Sequence, residues 1–277
     1  MKDDLSILIQ GPINEISLSA IDEYCKFANN IIISTWNLTP DVLETLQNRF
    51  NHIKNLKISS HTQPDYIKLI NENKLFGVTI GTTWYWQILG VKNGVEECDT
   101  KYIIRTRSDE YFKNLQPLID KFLDNEKKFT CGNIWFKPKS FMPLHIGDHL
   151  YISKTKILKK SVDFIIDVMH NKYPNNSEFK KIVYQMGSKH GGHNHPESIL
   201  AKSIVFHSKK ISYDSFKYDA IDWSDTQLCK DFFDIIDINE LSPIRWAWSR
   251  GRSNGEIFDE TASPDPSMRF IKTMDEY

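Results

Sequence analysis

Cysteine is scarce and scattered. Cys25, Cys98, Cys131 and Cys229 include no Cys-x-x-Cys pair, so neither a zinc-thiolate site nor a disulfide framework is expected, and a reducing compartment is. No apolar run approaches the length of a membrane span. The opening Met1-Lys-Asp-Asp-Leu-Ser lacks the apolar core of a secretion signal. The expected setting is cytoplasmic, with peripheral contact at the inner face of a membrane left open. Neither sign of charge dominates. A net charge of −1 provides no field that would draw nucleic acid or an anionic membrane, so an anionic ligand must be held by local groups. There are no internal repeats, no low-complexity segment and no convincing linker. With 277 residues, 40% of them hydrophobic and 26% charged, the chain is expected to fold as one domain with a divergent C-terminal part.

Along the chain, strands alternate with helices. Leu5 to Gln10 reads as a buried strand, stopped by Gly11-Pro12, and Asn14 caps the helix after it. Leu18, Ile21, Cys25 and Ala28 recur at helical spacing and predict that this helix runs from about Glu15 to Asn29. Ile31 to Thr35 is the next strand, Thr39-Pro40-Asp41 opens a helix, and Ile53 to Ser59 reads as a third strand. This order predicts a mostly parallel sheet with right-handed crossovers. Residues 60 to 80 give no clear pattern. Gly81-Thr82-Thr83 starts a helix carrying Trp84, Ile88, Val91 and Val95. Its first amides serve either plain capping or an anion site. Later helices are expected through Leu115 to Phe122, Ile157 to Met169, Phe179 to Met186 and from Pro196. Later strands are expected at Phe129 to Phe136, Leu150 to Ser153, Ile204 to Phe206 and Ile235 to Ile238.

The pattern converges on Lys101 to Phe112. Tyr102, Ile103 and Ile104 form a short apolar run, followed by Arg105, Arg107, Asp109 and Glu110. Ligands of open α/β sheets bind beyond the carboxyl ends of the strands, where such charges would be delivered. Mutual pairing on a solvated turn is the bland alternative. An Asp-X-Asp motif at such a place holds Mg²⁺ or Mn²⁺ against a nucleotide-linked diphosphate. Here Arg107 takes the first position and only Asp109 remains. Either Asp109 still holds a metal, or Arg105 and Arg107 replace it.

Four further places stand out. Glu197 follows Pro196 at a helix start, where the dipole favours the ionised carboxylate that a general base needs. Asp148, between His145 and His149, is a candidate for substrate or metal contact. His190, His193 and His195 gather three imidazoles in a spacing that matches no zinc signature. Trp246, Trp248, Arg250 and Arg252 pair aromatic faces with guanidiniums, and Arg250 is a candidate phosphate grip.

Ile-Leu-Ile-Gln-Gly-Pro at 7–12, Ile-Ile-Ser-Thr-Trp at 32–36, Arg-Thr-Arg-Ser-Asp at 105–109, Gly-Asp-His at 147–149 and Pro-Glu-Ser at 196–198 occur in this order. Together they resemble the WavE-type lipopolysaccharide-synthesis proteins, which are grouped with the GT-A glycosyltransferases. The resemblance implies a GT-A-like, Rossmann-type α/β fold with a mixed, mostly parallel central sheet flanked by helices. It implies a nucleotide-sugar donor of UDP or GDP type, a glycan or glycolipid acceptor, and inversion at the sugar. Asp109 matches the retained metal-site carboxylate, for Mn or Mg. Glu197 matches the base, and Gly11, Pro12, Ser34, Thr35 and Trp36 match the loops that embrace the nucleotide. Arg107 departs from the motif and leaves metal use open. On this reading residues 1–112 bind the donor, 113–240 form the acceptor side, and 241–277 close over the donor. The rivals are a metal-dependent hydrolase using the His190 cluster with Asp148, and a non-catalytic glycan- or nucleotide-binding module.

Overall fold

The computed structural model describes residues 2–72, 75, 82–134, 136, 144–184, 196–245, 271–275 and 277. Every residue of β1 (Leu5–Gln10) is buried, which is what a strand covered on both faces requires. Asn14 caps α1 (Glu15–Tyr24) by accepting from the Ile16 and Ser17 amides. The chain then forms β2 (Asn30–Trp36), α2 (Pro40–Arg49), β3 (Asn55–His61) and α3 (Tyr66–Asn71). α4 (Thr82–Glu96) carries it back across the sheet to β4 (Tyr102–Arg107), which pairs with the free edge of β1. Between β1 and β4 the strand order therefore reverses direction.

The second half is less regular. β5 (Tyr111–Phe112), α5 (Gln116–Asp124), β6 (Phe129–Gly132) and β7 (Tyr151–Lys154) come next. After them are α6 (Thr155–Met169), α7 (Ser177–Tyr184), α8 (Pro196–Ser208), α9 (Thr226–Phe232), β8 (Phe233–Ile236) and β9 (Pro243–Arg245). The main sheet has seven strands in the order β3-β2-β1-β4-β7-β6-β8, with β5 and β9 as a separate pair. Within the seven-stranded sheet only β7 runs against its neighbours. This is the mixed, mostly parallel sheet flanked by helices that the sequence predicts.

Strand alternation divides the core into two layers. Leu5, Ile7 and Ile9 point to one face and pack with Tyr24 of α1, Phe50 after α2 and Phe122 of α5. Leu8 and Ile103 point to the other, against Ile88 and Val91 of α4, Val162 of α6 and Ile204 of α8. Tyr277 and Ile271 return to the second half: the Tyr277 hydroxyl accepts from the Leu144 amide at 2.7 Å, and the Ile271 amide donates to the Phe136 carbonyl at 3.0 Å.

The main departure from expectation is Ile204 to Phe206, which continue α8 instead of forming a strand. α8 is wedged against α6 and α7 and is buried nearly all round, polar Ser198, Lys202 and Ser203 included, and a short apolar window of a buried helix looks like a strand. Helix α1 also stops at Tyr24, before the expected Asn29. The spacing persists because the turns after it still bond backwards, with the Ala28 amide donating to the Tyr24 carbonyl. β6 ends at Gly132, short of Phe136. All four cysteines are free thiols. Among the described residues no helix is long and apolar enough to cross a membrane.

Candidate functional site

β1 and β4 end level with each other, Gln10 opposite Arg107. Past that level the two chains leave the sheet almost touching. The Ser108 amide donates to the Gln10 carbonyl and the Gly11 amide to the Ser34 carbonyl, both at 3.0 Å. Gly11 has φ +130°, and a Cβ there would lie 2.4 Å from Ser108 Oγ. Both the backbone angle and the crowding call for glycine.

A cleft of about 470 Å³ opens over these ends. Gly11, Pro12 and Ser108 form its floor, and Arg107 and Asp109 form one wall. Trp36 from the end of β2 and Trp86 from α4 stand at its sides, with Gln10, Asn14, Gln63 and Gln87 as polar edges. The Trp86 indole is oriented by donating to the Pro64 carbonyl at 3.0 Å. Thr83, in the first turn of α4, also faces the space. Indole faces with a few amide groups suit a flat ring or a sugar.

The two arginines of β4 differ sharply. Arg105 is 1% exposed although it touches the cleft. Its Nη1 donates to the Asp148 and His149 carbonyls, and its Nη2 to Gln10 Oε1 at 2.8 Å. It ties the loop before β7 to β1. Arg107 lies on the wall. Its Nε donates to Asp109 Oδ1 at 2.8 Å and its Nη2 to Asp109 Oδ2 at 2.9 Å. Burial alone would weaken the Arg107 charge, but the Asp109 hydrogen bonds and the nearby Glu110 carboxylate more than offset it and raise its pKa.

Behind the wall sits a buried polar cluster. Glu110, with no exposed side chain, places Oε1 2.6 Å from His149 Nδ1. His149 Nε2 lies 3.9 Å from Asp148 Oδ1, and Asp148 Oδ2 accepts from Gln87 Nε2 at 2.8 Å. Gly147 lets this loop in: a Cβ there would sit 2.1 Å from the Gly132 carbonyl oxygen.

Of the sequence-derived candidates, Gly11, Pro12, Trp36, Arg105, Arg107 and Asp109 share the cleft. Ser34 and Thr35 are buried in β2 behind it, and Ser34 Oγ donates to the Gly90 carbonyl at 2.6 Å. Asp148 and Glu197 are not among the cleft-lining residues. Asp148 reaches the cleft through Gln87. Glu197 lies in the first turn of α8, with Oε2 3.7 Å from His145 Nε2. Arg250, the three imidazoles at 190, 193 and 195, and the Trp246 to Arg252 run lie outside the described residues.

Sequence reasoning missed Gln63, Trp86 and Gln87. Only Gln87 had a signal. With Trp84, Ile88 and Val91 facing inward, it falls one turn after Thr83 on the flank of that face.

A Mn or Mg site of the Asp-X-Asp kind needs carboxylate oxygens directed at the ligand. Both Asp109 oxygens instead accept from Arg107, a cation in the motif's first position. Among the described residues no group of three or more His, Cys, Asp or Glu side chains could hold a metal. These residues do not fit a divalent cation.

No protein-family model matches the chain, and no curated protein does. Among solved structures it is similar to mouse xyloside xylosyltransferase 1 in its apo form, with 9% identity over 85% of each chain and a TM-score of 0.41. It is similar to the glycosyltransferase GlyE of Streptococcus pneumoniae TIGR4, with 9% identity over 66% of this chain and 42% of that one and a TM-score of 0.40. HddC from Yersinia pseudotuberculosis gives 14% identity over 56% of this chain and 78% of that one, with a TM-score of 0.37. At these scores none of the three carries weight for function, which has to come from the cleft itself.

Proposed function

We propose that the chain is a GT-A-like glycosyltransferase of the WavE kind. It moves a sugar from a UDP- or GDP-type nucleotide-diphospho-sugar to a glycan or lipopolysaccharide-type acceptor, with inversion. The observation that carries this reading is the position of the cleft. It lies beyond the carboxyl ends of β1 and β4, where the strand order reverses, the place where α/β sheets bind nucleotides. Its lining supports the same reading. Trp36 and Trp86 offer faces for a base or sugar, Gly11 lets backbone approach the ligand closely, and the end of β4 supplies charge for the diphosphate.

In the proposed step the Glu197 carboxylate takes the proton of an acceptor hydroxyl. The freed oxygen forms a bond to the anomeric carbon, and the carbon–oxygen bond to the diphosphate breaks. Its electron pair leaves with the diphosphate. The start of α8 favours the ionised form of Glu197. Asp148 orients Gln87 on the cleft wall, the contribution assigned to it here.

A thermal-shift panel of nucleotide sugars tests the donor, because a ligand of the folded state raises Tm. Glu197→Gln should cut transfer by about 10²–10⁴-fold while the donor-induced shift persists. Full turnover in this variant would move the base elsewhere. Donor binding without transfer to any of a broad set of acceptors would leave a binding module.

A further inference from the structure

A diphosphate leaving group brings two negative charges to the end of β4, and something must meet them. Arg105 is unsuited, since its Nη1 and Nη2 are spent inside the protein on two carbonyls and Gln10. Asp109 presents carboxylate oxygens already occupied by Arg107. Arg107 is different. A guanidinium has five N–H donors in a planar fork. Asp109 takes one edge, Nε and Nη2. The edge that includes Nη1 meets no acceptor among the described residues, and the side chain, 26% exposed, lines the cleft. Asp109 thus fixes the plane of the guanidinium and leaves one edge for a forked contact to phosphate.

We infer that the donor's diphosphate is gripped by the outer edge of Arg107, with Asp109 acting as the positioning residue for Arg107 and with no divalent cation bridging the two. This rests on the nucleotide-sugar reading of the cleft. Asp109 therefore weakens the site's net positive charge while sharpening its geometry.

Calorimetric titration of the full chain with UDP, GDP and inorganic pyrophosphate, in Mn²⁺ and in EDTA, tests the inference. Affinity should be the same in both buffers within about threefold. Arg107→Ala should weaken binding by about tenfold or more. Arg107→Lys should not restore it, because an ammonium cannot fork to two partners at once. Asp109→Asn is the deciding variant and does not depend on Arg107 variants folding. It should weaken binding by about threefold to tenfold, and by the same factor in Mn²⁺ and in EDTA, because Arg107 loses half of its fixed fork while no metal ligand is lost. If Mn²⁺ strengthens nucleotide binding about tenfold or more and Asp109→Asn abolishes it, the inference is overturned and the nucleotide-sugar reading stands. Arg107-dependent pyrophosphate binding without nucleotide binding supports the grip and removes that reading. Absence of binding by all three probes overturns both.

Discussion

The cleft wall and the cluster behind it draw on the same short stretch, yet they hold charge differently. Behind the wall, Arg105, Glu110, Asp148 and His149 are between 0% and 6% exposed. Their partners come from far along the chain: Arg105 meets the Asp148 and His149 carbonyls, and Glu110 meets His149. On the wall, Arg107 and Asp109 keep 26% and 22% of their side chains in solvent and pair with each other two positions apart. A charge buried with distant partners fixes the fold, because removing either side strands the other. A charge paired locally at a surface can turn to a ligand at little cost.

The contrast can be broken by mutation. Arg105→Met should have the largest effect. It leaves two carbonyls and the Gln10 amide oxygen unsatisfied in the interior, for a loss of about 3–5 kcal/mol in urea unfolding. A loss as small as that of a surface variant would show that the cluster is dispensable.

A second variant sharpens the rule on α8. Lys202 is 7% exposed, and its ammonium lies over the Tyr218 ring at 5.5 Å with no carboxylate partner among the described residues. Burial pulls its pKa from the usual 10.5 down to about 8. The unfolded chain therefore binds more protons between these two values. Stability should rise with pH across that window, with the full penalty present below it. Lys202→Met should remove the slope and stabilise the protein at pH 7 by an amount on the order of 3 kcal/mol, read from denaturant midpoints at pH 7 and at alkaline pH. A flat profile in the parent would place the ammonium in contact with water.

Gly11→Ala should cost about 1–3 kcal/mol from the strained angle, with part recovered by Ser108→Gly, which removes the atom that the new Cβ would strike. Smallest in stability should be Arg107→Ala, at under about 1 kcal/mol, although it removes the ligand grip. Equal stability losses at Arg105 and Arg107 would erase the distinction between the two regions.

Much of the first half was legible because local and global signals agree there. Leu5 to Gln10 is mostly apolar, bounded by Gly-Pro and buried on both faces, so pattern and outcome coincide. Ile204 to Phe206 misled because burial on every side of α8 erases the helical stripe. β5 and β9 are only two and three residues long, too short for any periodicity. At the site, Arg105 and Arg107 were picked out together by composition. Nothing local separates them, since two positions along a strand put both on the same face. What separates them is where the 147–149 loop returns, and that depends on Gly147 slipping past the Gly132 carbonyl.

The place of β6 in the sheet bears on how the chain is made. Its outer neighbour is β8, and Cys131 touches Asp234 across 103 positions of sequence. During synthesis the parallel strands up to β4 can assemble early, while β6 waits with one row of amides and carbonyls open. Such an edge is a template for pairing with other chains. Nascent chains halted before β8 emerges would therefore be the species that a chaperone must shield.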